Sequence, residues 1–188
     1  SLTNLKTMIK ENPRSPSDIW FAMGLCYFKL GNIPKAKISL DRTIELDPEN
    51  SMALSALGVV EIATNLNNFE TRETACAYFE RAVKTNPRNP IALKFLADHY
   101  FFKGGHSLAK DLAEAGLDVL KHKVRPERSE VATFRQDIDL LRSCFYYILG
   151  KIEHVKENYQ EAFQLYEQSL KYNSNNYQAH FCMAKVHY

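Results

Sequence analysis

Six histidines and four cysteines are the residues of this chain that could hold a metal or attack a substrate. The histidines are His99, His106, His122, His154, His180 and His187, and no two of them stand in an HExxH or His-x3-His arrangement. A zinc site takes paired donors from one turn or one helix face, and this spacing supplies none. Cys26, Cys76, Cys144 and Cys182 form no CxxC pair and fall inside helical patterns. They read as small buried apolar side chains in a reducing compartment. Asp137 and Asp139 are two positions apart, so a helix sends them to different faces and they cannot work as an acid–base pair. There is no glycine-rich phosphate loop and no GxSxG, and the glycines of "FKGGH", residues 102–106, suit a turn. These residues predict no catalytic, cofactor-binding or metal site, and a chain that is not an enzyme. Chelators should leave its folding unchanged.

What such a chain does it must do through surfaces. Hydrophobic residues make up 45% of it and charged residues 24%, with a net charge of +2. That balance is too even to mark a nucleic-acid or anionic-membrane partner. No run of about 18 apolar residues could form a transmembrane span. The opening "SLTNLKTMIKENPRSP" lacks the apolar core of a signal peptide. Neither nucleic acid, membrane nor a small-molecule substrate is expected as a partner of this stretch.

Strand signals are nearly absent and the helical period dominates, so internal repetition is the informative test. "IWFAMGLCYFKLGN", residues 19–32, places a glycine inside a helical pattern, at a cost of about 1 kcal/mol relative to alanine. Trp20, Met23, Gly24 and Tyr27 are followed by Ala36, Leu40 and Pro48. This is the tetratricopeptide pattern W-x2-L-G-x2-Y, then A-x3-F, then P, and Ser17 to Asn50 has its 34-residue period. On these residues the chain resembles the tetratricopeptide family. Leu57, Gly58, Ala75, Phe79, Ala82 and Pro87 repeat the pattern over 39 residues, with the extra length expected in the turn around "TNLNNFETR". Leu93, Leu96, Ala97, Tyr100 and Ala109 mark a third copy, which departs where Ala113 and Gly116 replace larger residues. Tyr146, Leu149, Gly150, Ala162 and Tyr166 mark a fourth.

The expected fold class is all-α, a tetratricopeptide α-solenoid: a right-handed superhelix of helix-turn-helix repeats. Residues 1–16 read as the second helix of an incomplete repeat. Residues 17–50 form a repeat, 51–89 a repeat with an insertion, and 90–122 a divergent repeat. Residues 123–129 form a loop, 130–176 a repeat with an extended first helix, and 177–188 the first helix of another incomplete repeat. The chain is therefore expected to be a fragment of a longer solenoid. Glu130 to His154 should be one helix of about 37 Å, whose extra turns pack on the third repeat's second helix or on a partner. Gly24 and Ala36 should let two helices approach closely, flanked by Trp20, Tyr27 and Leu40.

First helices of such an array line its concave face. The positions expected there are Asp18, Phe21, Leu25 and Phe28; Met52, Ser55, Val59 and Ile62; Ile91, Lys94, Asp98 and Phe101; and Cys144, Tyr147, Lys151 and His154. Phe21, Leu25, Phe28, Met52, Val59, Ile62, Ile91, Lys94, Phe101 and Tyr147 are the expected partner contacts. The Lys and Asn of co-chaperones that clamp acidic chaperone tails are missing at Phe21, Leu25, Ser55 and Val59. An apolar peptide or amphipathic helix fits better. Replacing Phe21 and Phe28 by Glu is expected to weaken partner binding and to leave the melting midpoint nearly unchanged.

"FLADHYFFKGGHSLAKDLAEAGL", with its run from Asp98 to Lys103, resembles the tetratricopeptide scaffold subunits of the RNA polymerase II-associated factor (Paf) complex. The lengthened second repeat and the long hairpin from Ser143 are similar to them too. The resemblance implies a nuclear, non-catalytic scaffold. It would organise the Paf subunit and parafibromin on RNA polymerase II, in elongation and co-transcriptional histone modification. A co-chaperone adaptor and the repeat region of a nuclear sugar transferase remain open as alternatives.

Overall fold

Asparagine and proline set the helix boundaries. The side-chain oxygens of Asn32, Asn50, Asn89 and Asn176 accept from the backbone N–H of Lys35, Ala53, Ala92 and Ala179 at 3.2, 3.0, 3.1 and 3.2 Å. Each satisfies a donor that the first helical turn would otherwise leave unpaired. Pro34 and Pro90 occupy first turns, where their missing N–H costs nothing. Three helices end in the same turn, which needs a left-handed residue: Gly31 at φ 72°, Gly104 at φ 80° and Glu157 at φ 63°.

The structure is a computed structural model and describes residues 2–11, 16–64, 69–121 and 131–186. Ten helices lie among the described residues, in two compact units. The first, Ser1–Pro87, holds α1 (Leu2–Glu11), α2 (Ser17–Lys29), α3 (Ile33–Leu46), α4 (Ser51–Thr64) and α5 (Phe69–Thr85). The second, Arg88–Tyr188, holds α6 (Pro90–Phe102), α7 (His106–Lys121), α8 (Val131–Val155), α9 (Tyr159–Tyr172) and α10 (Tyr177–Val186).

In the first unit α2 pairs with α3 and α4 with α5, and α3 packs on α4. A Cβ at Gly24 would stand 2.7 Å from Leu40 Cγ, and one at Gly58 would stand 2.6 Å from the Phe79 ring. This is the close approach that offsets the helical glycine's cost: the large side chain of the second helix fills the notch in the first. Gly24→Leu is therefore expected to cost about 1–3 kcal/mol by overpacking. An unchanged midpoint in a circular dichroism melt would contradict the crossing. Ala36, Leu40, Leu57 and Val60 form the buried cluster joining the two hairpins. The ion pair of Lys37 with Glu61 joins α3 to α4 beside it.

One expectation needs correcting here. The sequence pattern puts the second repeat's extra residues in the turn around residues 64–72, but α5 begins at Phe69. Glu70 stands in its first turn, where a carboxylate suits the helix dipole, and Thr74 Oγ1 donates to Glu70 O at 3.0 Å. Part of the insertion thus lengthens the helix. The loop expected at 123–129, and Glu130 with it, lie outside the described residues.

The second unit answers where the long helix packs. α8 lies on α7 as well as on its hairpin partner α9. Gly116 of α7 opposes Phe145 of α8 so closely that a Cβ there would sit 2.1 Å from the ring. Arg142 Nη2 donates to Leu120 O at 3.1 Å, and Ile138 is buried on the same side. The small residues that make the third repeat divergent are thus the seat for the fourth repeat's Phe145. At the other face Gly150 receives the Tyr166 ring, which a Cβ there would meet at 2.5 Å. Ser169 Oγ donates to Ser143 O at 2.9 Å, and Asn176 Nδ2 donates to Ser169 Oγ at 3.1 Å, fixing the start of α10 against α8 and α9.

Glu153 closes the α8–α9 turn. Asn158 Nδ2 donates to it at 2.8 Å and Lys156 Nζ at 2.9 Å, and Lys110 Nζ lies at 3.6 Å. These hydrogen bonds hold its carboxyl below the ordinary value of 4.5. A folded value below the unfolded one contributes stability that is present above about pH 4.5 and is lost as pH falls through the folded value. Glu153→Gln should therefore flatten the acid limb of stability below about pH 4.5. Urea denaturation across pH would show this, and acid limbs of equal slope would contradict it.

Candidate protein-binding groove

The first unit exposes fewer groove residues than its sequence pattern suggests. Leu25 and Met52 are exposed, at 38% and 45%. Phe21 and Phe28 are half-buried and pack on the Ala36–Leu40–Leu57–Val60 cluster. Val59 and Ile62 are half-buried, and Ser55 is fully buried. The reason is helix breadth. An α2 face three or four positions from the Gly24 seam still meets the neighbouring hairpin, because α2 also touches α4. The expectation that Phe21 and Phe28 could be charged without loss of stability is therefore corrected.

The second unit brings four of the expected positions to one groove. Lys94 and Asp98 of α6 face Cys144 and Tyr147 of α8 across a space of about 200 Å3, closed by the α9–α10 turn and Tyr177. Lys151 Nζ lies behind Asp98 of that lining, 2.8 Å from Asp98 Oδ1, with the ring centres of Phe101, Phe102 and Tyr147 at 4.3, 4.7 and 5.0 Å. Its side chain is 11% exposed. An ammonium so enclosed needs both its carboxylate and the faces of aromatic rings. Phe101 and Tyr147 are thus committed to Lys151. His154 turns away: its Nδ1 lies 3.3 Å from the Tyr166 hydroxyl and its ring meets Tyr159 edge-on. Ile91 is half-buried on α6.

Burial pushes the Cys144 thiol up and the Tyr147 and Tyr166 hydroxyls far up, so all three stay protonated and none is an activated nucleophile or base. No three His, Cys, Asp or Glu side chains gather as metal ligands among the described residues, and no helix among them is long and apolar enough to cross a membrane. Asn173, Asn175, Tyr177 and Gln178 also line the groove, and sequence reasoning missed them. Their signal was the polar run "NSNNYQ", which reads as a turn and nothing more until α10 folds back on α8.

The paired helices, with a small residue in one seated against a large residue of the other, can be set beside known proteins. Two tetratricopeptide repeat family models match, over residues 17–50 and 145–176. These two stretches are tetratricopeptide repeats. Over 94% of its length it is 30% identical to the Protein CTR9 homolog of Arabidopsis thaliana. It is 25% identical to the RNA polymerase-associated protein CTR9 of Caenorhabditis elegans over 95%, and to that of Saccharomyces cerevisiae over 94%. The chain spans only 14–16% of the length of these relatives. Among solved tetratricopeptide-type structures it is similar to pilF of Pseudomonas aeruginosa, at a TM-score of 0.65 and 22% identity, covering 90% of this chain and 67% of that one. It is also similar to the thermophilic TPR protein TTC0263 of Thermus thermophilus, at 0.62 and 16%, covering 98% and 88%. These likenesses establish the all-α tetratricopeptide fold.

Proposed function

We propose that this chain is a non-catalytic scaffold segment of a Paf-type complex. It holds the Paf subunit and parafibromin in the nucleus and so supports RNA polymerase II elongation and co-transcriptional histone modification. The observation that carries this reading is the similarity to three CTR9 proteins from a plant, a worm and a yeast, two of them named RNA polymerase-associated. It runs over 94–95% of the chain, far beyond the two stretches that match the repeat family.

The contact surfaces in this reading are Leu25 and Met52 in the first unit and the Lys94–Tyr147 groove in the second. Ile91, Val59 and Ile62 serve as partly covered flanks. Co-expression of this chain with the tagged Paf subunit and parafibromin is the test. The reading expects a stable complex in size-exclusion chromatography. Elution of this chain alone beside both partners would overturn it.

A further inference from the structure

The ammonium of Lys151 has the Asp98 carboxylate at 2.8 Å and the ring centres of Phe101, Phe102 and Tyr147 at 4.3, 4.7 and 5.0 Å. Asp98, Phe101 and Phe102 belong to α6, and Lys151 and Tyr147 to α8, so the contact crosses from one hairpin to the next. The two ends of the pair are unlike. The Lys151 side chain is 11% exposed, whereas that of Asp98 is 34% exposed and lines the groove with Cys144 and Tyr147. Tyr147 carries the link on to α10, its hydroxyl 3.9 Å from Cys182 Sγ.

We propose that the Lys151–Asp98 pair is a latch that holds α6 against α8 and keeps the groove wall closed around Cys144. The asymmetry of the pair makes it one. Asp98 can be hydrated from the groove when its partner is lost. Lys151 cannot: without the carboxylate its ammonium is left among three rings, and removing one partner of an enclosed pair costs far more than removing both. Ring faces attract the cation, but they do not replace a hydrogen-bonding carboxylate. The ammonium must then reach water past the place of Asp98, which is the groove side. As it does so, α6 and α8 part along the wall that Cys144 shares. Lys151→Met removes the demand altogether, because a thioether packs on aromatic rings with no charge to satisfy. The latch belongs to the second unit and does not depend on which partner the scaffold reading names.

Iodoacetamide labelling of the whole chain, followed cysteine by cysteine by peptide mass spectrometry, tests the latch. Asp98→Ala is expected to speed alkylation of Cys144 at least about tenfold by local opening. Cys26 and Cys76, in the first unit, should keep their parental rates. Lys151→Met should leave the Cys144 rate within about twofold of the parent's, and Asp98→Ala combined with Lys151→Met should bring it back to that range. Asp98→Glu, which keeps the charge, should label as slowly as the parent. Equal acceleration by Asp98→Ala and Lys151→Met, a Cys144 rate unchanged by Asp98→Ala, or a rise shared by Cys26 and Cys76 in a chain that circular dichroism shows folded would each overturn the latch. If Asp98→Ala alone does not fold, the double variant decides. A folded double variant with slow Cys144 labelling supports the latch, and an unfolded or fast-labelling one overturns it.

Discussion

Phe145→Ala is expected to cost the second unit about 3–5 kcal/mol, a large part of what a domain of this size has to lose. Phe145 is fully buried, and its ring fills the notch that Gly116 leaves on α7. Removing the ring empties a space bounded by two helices, and neither can close on it without breaking its own register. Gly116→Leu attacks the same contact from the other side. Its Cβ alone would fall 2.1 Å from the ring, so the ring or α7 must move. The combination is the diagnostic case. With the ring gone the added leucine has somewhere to go, so the double variant should be less damaged than the two single losses added together, by more than about 1 kcal/mol. Urea denaturation of the four proteins measures this. Simple additivity would mean that Gly116 and Phe145 do not meet.

The second large effect concerns the first unit. Phe21→Glu with Phe28→Glu is expected to lower stability by about 3 kcal/mol or more, not to leave it unchanged. Each ring is half-buried on the Ala36–Leu40–Leu57–Val60 cluster. Full burial of a phenylalanine is worth about 1.5–3 kcal/mol, so two half-burials lose roughly that sum, and two carboxylates brought against an apolar cluster add a desolvation cost. Leu25→Glu is the control, since that side chain is exposed and its loss should move the midpoint little. A differential scanning melt separates the cases. Equal small shifts for both variants would restore Phe21 and Phe28 to the groove.

The hairpins were legible in the sequence because their chemistry is local. Gly24 against Leu40 and Gly150 against Tyr166 are sixteen positions apart in both hairpins, so one period names both partners. Asn caps, first-turn prolines and the left-handed residues after α2 and α6 are equally local signals. Gly116 was visible as a departure from the pattern, but not as a seat, because its occupant Phe145 comes from another repeat. The faces of first helices were harder still. Phe21 and Leu25 lie four positions apart on α2, yet one rests on the core cluster and the other is exposed, and that difference depends on where α4 comes to lie. The second-unit groove was half visible: Lys94, Asp98, Cys144 and Tyr147 follow from periodicity, whereas Tyr177 and its neighbours reach it only through the fold of the α9–α10 turn. Lys151 was read as a groove residue, and what the sequence could not reveal was that Asp98 and three aromatic rings enclose it.

We propose that this chain is a protein-binding scaffold segment, with the Paf subunit and parafibromin as the partners to be tested. Isothermal titration of the chain with each purified partner tests it most directly. The account predicts saturable binding of at least one partner at micromolar or tighter affinity, about −8 kcal/mol, weakened at least about tenfold by Lys94→Glu or by Leu25→Glu with Met52→Glu. No heat of binding with either partner, from a chain whose melt shows it folded, would contradict it.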